Sequence, residues 1–594
     1  MILLAAAALG AFALTLLLVP VCRLIAVGTG AVAHPQRDRW NTRPTPLLGG
    51  VAIVVATLVT TLFIVPAAPI APLLIGAVLM FVVGLVDDYR TLRPSTKLAA
   101  QIVLASGLVA TGARLEWTSS LSADAVLTIV WIVGVTNALN LLDNMDGLCG
   151  GIACIAAVSL SLAFVTTGLG MPPLVVSVAL AGFLIFNVQP ASIFMGDSGS
   201  LFCGFLLAAL SLELPRVGIH PSNFLAIVGA PLLLLLVPIL DTVLVTVARI
   251  LSGRSPSQGG RDHSSHRLVA IGLPERSAVF VLWTLAAVGA AMAWLVRYMT
   301  LEWSLLLAAV YALSMALFAG FLWNVRVYSG QDLQLTRSGR ITPLILNFVH
   351  KRRVFEVCLD FCLISLAYYA AYRLRFEGRQ FSAFFPRFLE SLPIVVGVQI
   401  AALLAAGVYR GVWRFFSFMD GVVIGKGVVL GTVASVITVV YVFRFEDYSR
   451  AVFVIYAALL FIGLAGSRAS FRLMGEFVNR RRVGLRTVIY GAGRAGALVA
   501  RDLLQRDAEA TSLVGFVDDD PTIAGSRVHG YPVLGGLDDL SALVQQGKVD
   551  RVIVSTRLVA PNQLEALEAL CTETGVGFYR MHFDLRIVEP RRAR

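Results

Sequence analysis

The sequence predicts a polytopic α-helical membrane protein of about fifteen transmembrane helices, with an α/β domain at its C-terminal end. Three observations predict this. Of 594 residues, 57% are hydrophobic and only 14% charged, little polar surface for a soluble chain of this length. Apolar runs of about 20 residues, enough to cross a hydrocarbon core, recur along most of the chain. After Arg468 they give way to short β-branched runs alternating with polar helical stretches.

Taken in order, the apolar spans lie near 2–27, 46–66, 69–86, 98–112, 124–141, 147–168, 172–188, 199–213, 225–248, 277–296 and 302–324. The first lacks the basic start of a signal peptide and is too long for its h-region, so it reads as a span. These eleven define a domain over 1–325. A polar stretch over 326–353, with Ser329-Gly330-Gln331-Asp332 and Lys351-Arg352-Arg353, reads as a linker. Four more spans near 354–372, 388–407, 420–442 and 451–467 form a membrane domain over 354–470. The α/β domain occupies 484–594. Seven cysteines include no CxxC pair, so no zinc site or disulfide framework is indicated. The formal charge of +12 fits basic cytoplasmic loops better than a nucleic-acid partner.

The basic residues also orient the chain. Odd-numbered connections between the first eleven spans hold Arg37, Arg39, Arg43, Arg90, Arg93, Lys97, Arg249, Arg254, Arg261, Arg267 and Arg276, and Arg326 follows the eleventh span. Even connections hold only Arg114, Arg216 and Arg297. The positive-inside rule puts the odd connections, and with them the α/β domain, in the cytoplasm.

Each odd connection also carries a polar cluster. The first runs from His34 to Gly49-Gly50. The second holds Asp87-Asp88-Tyr89-Arg90 and Lys97. The third is Asn137-Ala-Leu-Asn140-Leu-Leu-Asp143-Asn144-Met-Asp146-Gly147-Leu148. The fourth runs from Asn187 to Met195-Gly196-Asp197-Ser198-Gly199-Ser200, and the fifth from Gly253 to Arg261-Asp262-His263-Ser-Ser-His266-Arg267. Taken singly, each has a plainer reading. Asp87-Asp88 could be a solvated helix end, Asn137 and Asn140 interhelical glue, His263 and His266 ordinary loop residues, and Asp197 a helix cap. Asp241, inside the ninth span, is either a functional acid or a structural hydrogen bond. Joint placement on one face argues for one assembled site. Asp and Asn oxygens suit a hard ion such as Mg²⁺. Arg, Lys and His are donors for a diphosphate. That balance fits phosphoryl transfer, whereas a transporter would set its ionisable groups near the membrane midplane.

These motifs, in this order, resemble the polyprenyl-phosphate N-acetylhexosamine-1-phosphate transferases across the first 330 residues. The resemblance implies an Mg²⁺-dependent enzyme (Mn²⁺ a possible substitute) of the bacterial inner membrane. It would move a hexosamine phosphate, GlcNAc-1-phosphate being favoured, from a UDP-sugar to undecaprenyl or another polyprenyl phosphate, releasing UMP. It further implies that Asn140 and Asp197 contact the metal and that Asp87 and Asp88 lie beside the lipid phosphate, Asp87 a candidate base. Lys97 would be a diphosphate donor. Asp146 and its neighbours would contact the uracil, Asn137, Asp143 and Asn187 would bind substrate, and His263, His266 and Arg267 would close on diphosphate and sugar. Relatives imply a homodimer. One departure stands out: Asn144 occupies a position where members often have glycine. A degenerate core acting as a nucleotide-sugar sensor, or a lipid-linked-sugar transporter, are the alternatives.

The second half resembles membrane-anchored bacterial polysaccharide-biosynthesis proteins, through Gly407-Val-Tyr-Arg-Gly-Val-Trp413-Arg414 and Thr487-Val-Ile-Tyr-Gly-Ala-Gly-Arg-Ala-Gly496. Val514-Gly-Phe-Val-Asp518-Asp519-Asp520-Pro521 and Val552-Ile-Val-Ser555-Thr556 continue it. Gly491, Gly493 and Gly496 follow a strand pattern and precede a helical one, the context of a Rossmann-like dinucleotide loop. Asp518 stands where a ribose-binding acid is expected. No Tyr-x-x-x-Lys pair follows Gly491, so a regulatory or scaffolding module that binds a nucleotide or nucleotide-sugar is expected, not an oxidoreductase.

Overall fold

A computed structural model describes residues 2–35, 43–64, 70–118, 120–165, 170–214, 224–251, 254, 260–323, 325, 348–376, 379–410, 416–444, 448–480, 484–505, 511–528, 530–555 and 561–581. Arg37, Arg39, most of the 326–353 linker, Trp413, Arg414 and Thr556 lie outside them. The chain forms two compact units, Met1–Phe471 and Arg472–Arg594.

The first unit is helical. Its helices are α1 (Ile2–Thr29), α2 (Gly49–Ile64), α3 (Ala71–Tyr89), α4 (Pro94–Ala110), α5 (Leu121–Leu142), α6 (Leu148–Ala163), α7 (Met171–Asn187), α8 (Gly196–Ser211), α9 (Phe224–Leu234), α10 (Leu236–Leu251), α11 (Ser264–Ala270), α12 (Glu275–Tyr298) and α13 (Leu301–Trp323). Then come α14 (Phe348–Arg375), α15 (Arg379–Ala405), α16 (Phe418–Phe443) and α17 (Arg450–Arg480). Among the described residues, nine helices are long and apolar enough to cross a membrane, or ten if α9 and α10 are one bent span. The architecture is that of a polytopic membrane protein. Proline starts α3, α4 and α7, where a missing N–H costs nothing, and Ser417 and Asp420 form a capping box on α16.

The ninth expected span, 225–248, is not one rod. Its two halves meet at a 74° bend. Pro231 lies inside α9, where proline removes a hydrogen bond and clashes with the preceding turn, and Pro238 falls in the first turn of α10.

Helix α8 is the axis of the first half and is buried along nearly its whole length. At Gly84 of α3 an added Cβ would lie 2.4 Å from the Asp197 carbonyl oxygen. Small residues permit this backbone approach, as membrane helix packing requires. Helices α2, α6 and α8 have 16 residues each and α7 has 17. A two-residue antiparallel pair, β1 (Val32–Ala33) with β2 (Thr45–Pro46), closes the first connection.

Helices α14–α17 share an aromatic core in which Tyr368 meets Tyr372, Phe388, Phe453 and Tyr456. Asp360 of α14 and Arg468 of α17 form a buried bidentate ion pair at 2.7 and 2.6 Å. Leu306, Leu313 and Leu317 of α13 pack on the same core.

The second unit holds a parallel sheet in the order β4-β3-β7-β8: β3 (Leu485–Tyr490), β4 (Thr511–Val517), β7 (Arg551–Val554) and β8 (Gly577–Arg580). Helices α18 (Arg494–Gln505), α19 (Leu537–Gln545) and α20 (Pro561–Thr574) intervene, with a short antiparallel pair, β5 (Arg527–Val528) and β6 (Tyr531–Pro532). Val488 and Tyr490 belong to one buried cluster and Ile489 to another, as in a parallel sheet covered on both faces.

Candidate active site

The four segments that carry the first, second, third and fifth polar clusters are stitched to the fourth or to one another. From the first, Gly49 and Gly50 donate their N–H groups to the carbonyls of Phe194 and Met195 at 3.0 and 2.9 Å, and Phe194 N–H returns to Pro46 at 2.8 Å. From the second, Asp88 accepts from the backbone N–H groups of Asp197 (2.8 Å) and Ser198 (3.1 Å). Those N–H groups open α8 and have no partner within the helix, so Asp88 caps its positive end. From the third, Asp146 accepts from Ala191 N–H at 2.8 Å. Asn144 Oδ1 accepts from the Ser265 hydroxyl of the fifth at 2.6 Å.

At the centre, Lys97 Nζ lies 2.9 Å from Asp87 Oδ2 and 2.9 Å from Asp197 Oδ2. Asp87 Oδ1 also accepts from Leu92 N–H. Asn140 Nδ2 donates to Ser200 Oγ at 3.0 Å, one helical turn beyond Asp197 and on the same face of α8. Two carboxyl groups thus share a single ammonium, with a third, Asp88, on the start of α8 beside them and a carboxamide on Ser200 one turn along.

The oxygen donors suit a hard divalent cation. Among the described residues no three His, Cys, Asp or Glu side chains form a ready metal cage. Mg²⁺ takes one or two carboxylates and completes its shell with water and substrate phosphate. Asp197 and Asn140 are the residues that would hold it.

The fifth cluster is pinned at several points. His263 Nδ1 lies 2.8 Å from Asp241 Oδ2, and Asp241 Oδ1 accepts from Ser264 N–H at 2.6 Å. Asp241 is 1% exposed. Engaging Nδ1 leaves Nε2 as the second functional nitrogen of His263. Arg249 grips Asp262 with two bonds of 3.0 and 2.7 Å, and Arg254 adds a third at 3.2 Å. Burial would raise the Asp262 carboxyl, but Arg249 more than offsets it and holds it low. Burial, with His263 close by, lowers the His266 imidazole to about 3, and the two rings meet edge-on at 5.6 Å. Burial likewise raises the Asp146 carboxyl, only partly opposed by its bond from Ala191.

Several expected ligands have other partners. Asn137 pairs with buried Gln101 through bonds of 2.6 and 3.3 Å and so ties α5 to α4. Asn187 accepts from Gly147 N–H at 3.0 Å and donates to Ile193 carbonyl at 2.9 Å, clipping the third connection to the fourth. Arg267, expected on the diphosphate, instead donates to the carbonyls of Leu322, Trp323 and Val325 at the end of α13. These terminal carbonyls lack helical partners and attract a cation. Asp88, expected beside the lipid phosphate, has both oxygens on α8. Asp143 follows α5 as its half-buried C-cap.

The sequence leaves Asp241 open between a functional acid and a structural hydrogen bond, and assigns no role to Gln101, Ser200, Asp262 and Ser265. A glutamine inside an apolar run was the available signal for Gln101. The two serines carried none.

In the second unit, Gly491 has φ +104° and donates its N–H to Val517 carbonyl at 2.7 Å. Gly493 faces open space, and a Cβ on Gly496 would meet the Gly491 carbonyl oxygen at 1.9 Å. The three glycines thus serve turn, open approach and helix–strand contact, as a dinucleotide loop requires. Asp518, expected on a ribose, is engaged by the loop itself: Oδ2 accepts from Ala492 N–H at 2.7 Å and Oδ1 from Asp520 N–H at 3.1 Å.

The chain matches glycosyl transferase family 4 over residues 70–214 and a CoA-binding domain over 404–581. It is 32% identical to a probable undecaprenyl-phosphate N-acetylglucosaminyl 1-phosphate transferase of Bacillus subtilis (strain 168), across 51% of this chain and 88% of that one. It is 34% identical to the decaprenyl-phosphate N-acetylglucosaminephosphotransferase of Mycolicibacterium smegmatis (strain ATCC 700084 / mc(2)155), across 45% and 77%. A 242-residue stretch is 27% identical to the probable polysaccharide biosynthesis protein EpsC of Bacillus subtilis (strain 168), across 40% of each.

Proposed function

We propose, since this chain belongs to glycosyl transferase family 4, the polyprenyl-phosphate hexosamine-1-phosphate transferases, that it transfers N-acetylglucosamine-1-phosphate from UDP-GlcNAc to a polyprenyl phosphate. UMP leaves, and the lipid-linked sugar diphosphate is a first membrane step of envelope glycan synthesis. The observation that carries this reading is Lys97 lying 2.9 Å from Asp87 and 2.9 Å from Asp197, the latter 100 residues further along the sequence.

Mg²⁺, when bound, would neutralise charge on the diphosphate. Asp197 and Asn140 would hold the cation. Lys97 donates to a phosphoryl oxygen. Asp87 accepts the proton of an incoming lipid phosphate. His263 presents Nε2 to the diphosphate with its ring set by Asp241, and Asp146 takes the nucleotide end. Asp88 acts as a positioning residue by fixing the start of α8. Since catalysis here is mainly placement and charge neutralisation, a framework so densely tied fits the task.

Residues 1–325 form the transferase, joined by 326–353 to a membrane module over 354–470 and a Rossmann-like domain over 484–594. The charge bias of the odd connections supports a cytoplasmic site in a bacterial plasma membrane. The glycine loop supports a ligand with a nucleotide diphosphate, a nucleotide-sugar or coenzyme A, and a regulatory role for the second half.

The test is UMP release by the purified full-length protein with UDP-GlcNAc, undecaprenyl phosphate and Mg²⁺. Turnover that needs all three is expected. No UMP from any UDP-hexosamine under these conditions would overturn the assignment.

A further inference from the structure

The geometry points to Arg267 as a positioning residue through which the four-helix bundle α14–α17 sets the pose of the His263–Arg267 loop. This rests on the transferase reading of that loop and adds the route by which the second half acts on it.

Arg267 is 6% exposed. Its Nη1 donates to Leu322 (2.9 Å), Val325 (3.1 Å) and Trp323 (3.3 Å) carbonyls, and its Nε donates to Asp262 carbonyl (2.8 Å). The guanidinium therefore joins the loop to the end of α13. Four residues earlier in the same loop, His263 is held by Asp241 of α10. The first turn of α11, with His263 as its N-cap, is thus held between two anchors, one on α10 and one on α13. A displacement of α13 must strain one of them, because packed interiors transmit small shifts rather than absorb them.

Helix α12 holds α13 on one side, through Tyr311 Oη to the Leu285 carbonyl at 2.8 Å, and the bundle holds it on the other. At the end far from the loop, Tyr369 Oη donates to Glu302 carbonyl at 3.0 Å, and the Arg373 guanidinium lies 4.8 Å from the Trp303 ring centroid. Along the middle, Leu306, Leu313 and Leu317 pack on the bundle core. At the near end, Phe321 meets Phe471 edge-on at 6.3 Å, and the next residue, Leu322, supplies one of the carbonyls that Arg267 holds. Phe471 stands one turn beyond Arg468, on the same face of α17. Arg468 is locked to Asp360 of α14 in the buried ion pair. A continuous line of contacts runs from the Asp360–Arg468 pair through Phe471, Phe321 and Leu322 to Arg267.

The experiment measures coupling directly in the full-length protein. Backbone hydrogen exchange over 260–270 is followed without substrate, beside UMP-release kinetics. Arg267→Ala is expected to speed exchange in this segment and to lower kcat far more than it raises KM for UDP-GlcNAc. Arg267→Lys, still a donor to the carbonyls, recovers part of both. Phe471→Ala, remote from the loop, is expected to speed exchange over 260–270 by about two- to thirty-fold and to lower kcat in parallel, while Phe471→Leu stays near wild type. Adding Phe471→Ala to Arg267→Ala should change the loop no further. Exchange over 260–270 unchanged in Phe471→Ala, while α13 and α17 loosen, would overturn the proposal. So would an Arg267→Ala protein whose free loop is undisturbed but whose KM rises, since Arg267 would then be a direct ligand. Absence of UMP release in the wild type would sink the transferase reading alone, because the exchange measurements need no substrate.

Discussion

Replacing Asp88 with Asn separates support from chemistry at the centre of the site. Asp88 takes two N–H groups at the start of α8, from Asp197 at 2.8 Å and Ser198 at 3.1 Å. A carboxamide can accept one of them, but its NH₂ faces the other, so one charge-assisted bond is lost and two donors are opposed. A hydrogen bond to a charged group contributes about 1.5–3 kcal/mol. If that loss falls on the placement of Asp197, kcat drops about ten- to a hundred-and-fifty-fold. KM for UDP-GlcNAc should stay within about threefold, since Asp146 on the nucleotide side is untouched. The assay is UMP release across a UDP-GlcNAc series, with the thermal midpoint of the purified protein measured in parallel; the midpoint should fall. Activity within threefold of wild type would refute the argument. So would complete loss of turnover with an unshifted midpoint, since Asp88 would then act on the reactants.

Three further outcomes are expected. The His266 imidazole is held near a pKa of about 3 in the fold, against about 6.5 when unfolded. The unfolded chain therefore binds the extra proton between those values, and stability present above pH 6.5 is lost as pH falls toward 3. Proteolysis within 260–270 should accelerate from pH 7 to pH 5, and His266→Gln should flatten that dependence. In a double-mutant cycle on Asn144 and Ser265, each alanine variant should lower kcat/KM several-fold, and the double variant should resemble either single one. That non-additivity should be worth about 1 kcal/mol; strict additivity would deny the bond between the loops. Gly496→Ala places a Cβ 1.9 Å from the Gly491 carbonyl oxygen, so it should destabilise the α/β domain by about 1–3 kcal/mol and remove nucleotide binding, as calorimetry on the full-length protein would record.

Much of the fold could be read from composition and period, because a membrane helix must satisfy its backbone internally and present apolar side chains over a fixed length. Helices stand at the fifteen stretches expected from the apolar runs, with α9 and α10 sharing one. The bend between those two was not legible because Pro231 and Pro238 lie in a run apolar enough overall to read as one span. At the site, residue type and order pointed to Asp87, Lys97, Asn140 and Asp197, and these do come together. Asn137, Asn187 and Arg267 have framework partners that residue type and order did not reveal, for a common reason. A donor or acceptor near a pocket can serve the substrate or the framework equally well, and only the distance to a partner far along the chain separates the two. Gln101, 36 residues from Asn137, and Leu322, 55 from Arg267, are such partners.

The brevity of the central helices has a consequence for the lipid. A helix of 16 residues, such as α8, rises about 24 Å, whereas the hydrocarbon layer is about 30 Å thick. Set upright in a bilayer, this core falls about 6 Å short of the layer it sits in. Asp197, in the first turn of α8, then lies at the bottom of a depression. A phosphate on a long isoprenoid tail would not have to rise into water to meet it. It could slide in sideways at the depth where its own headgroup already rides.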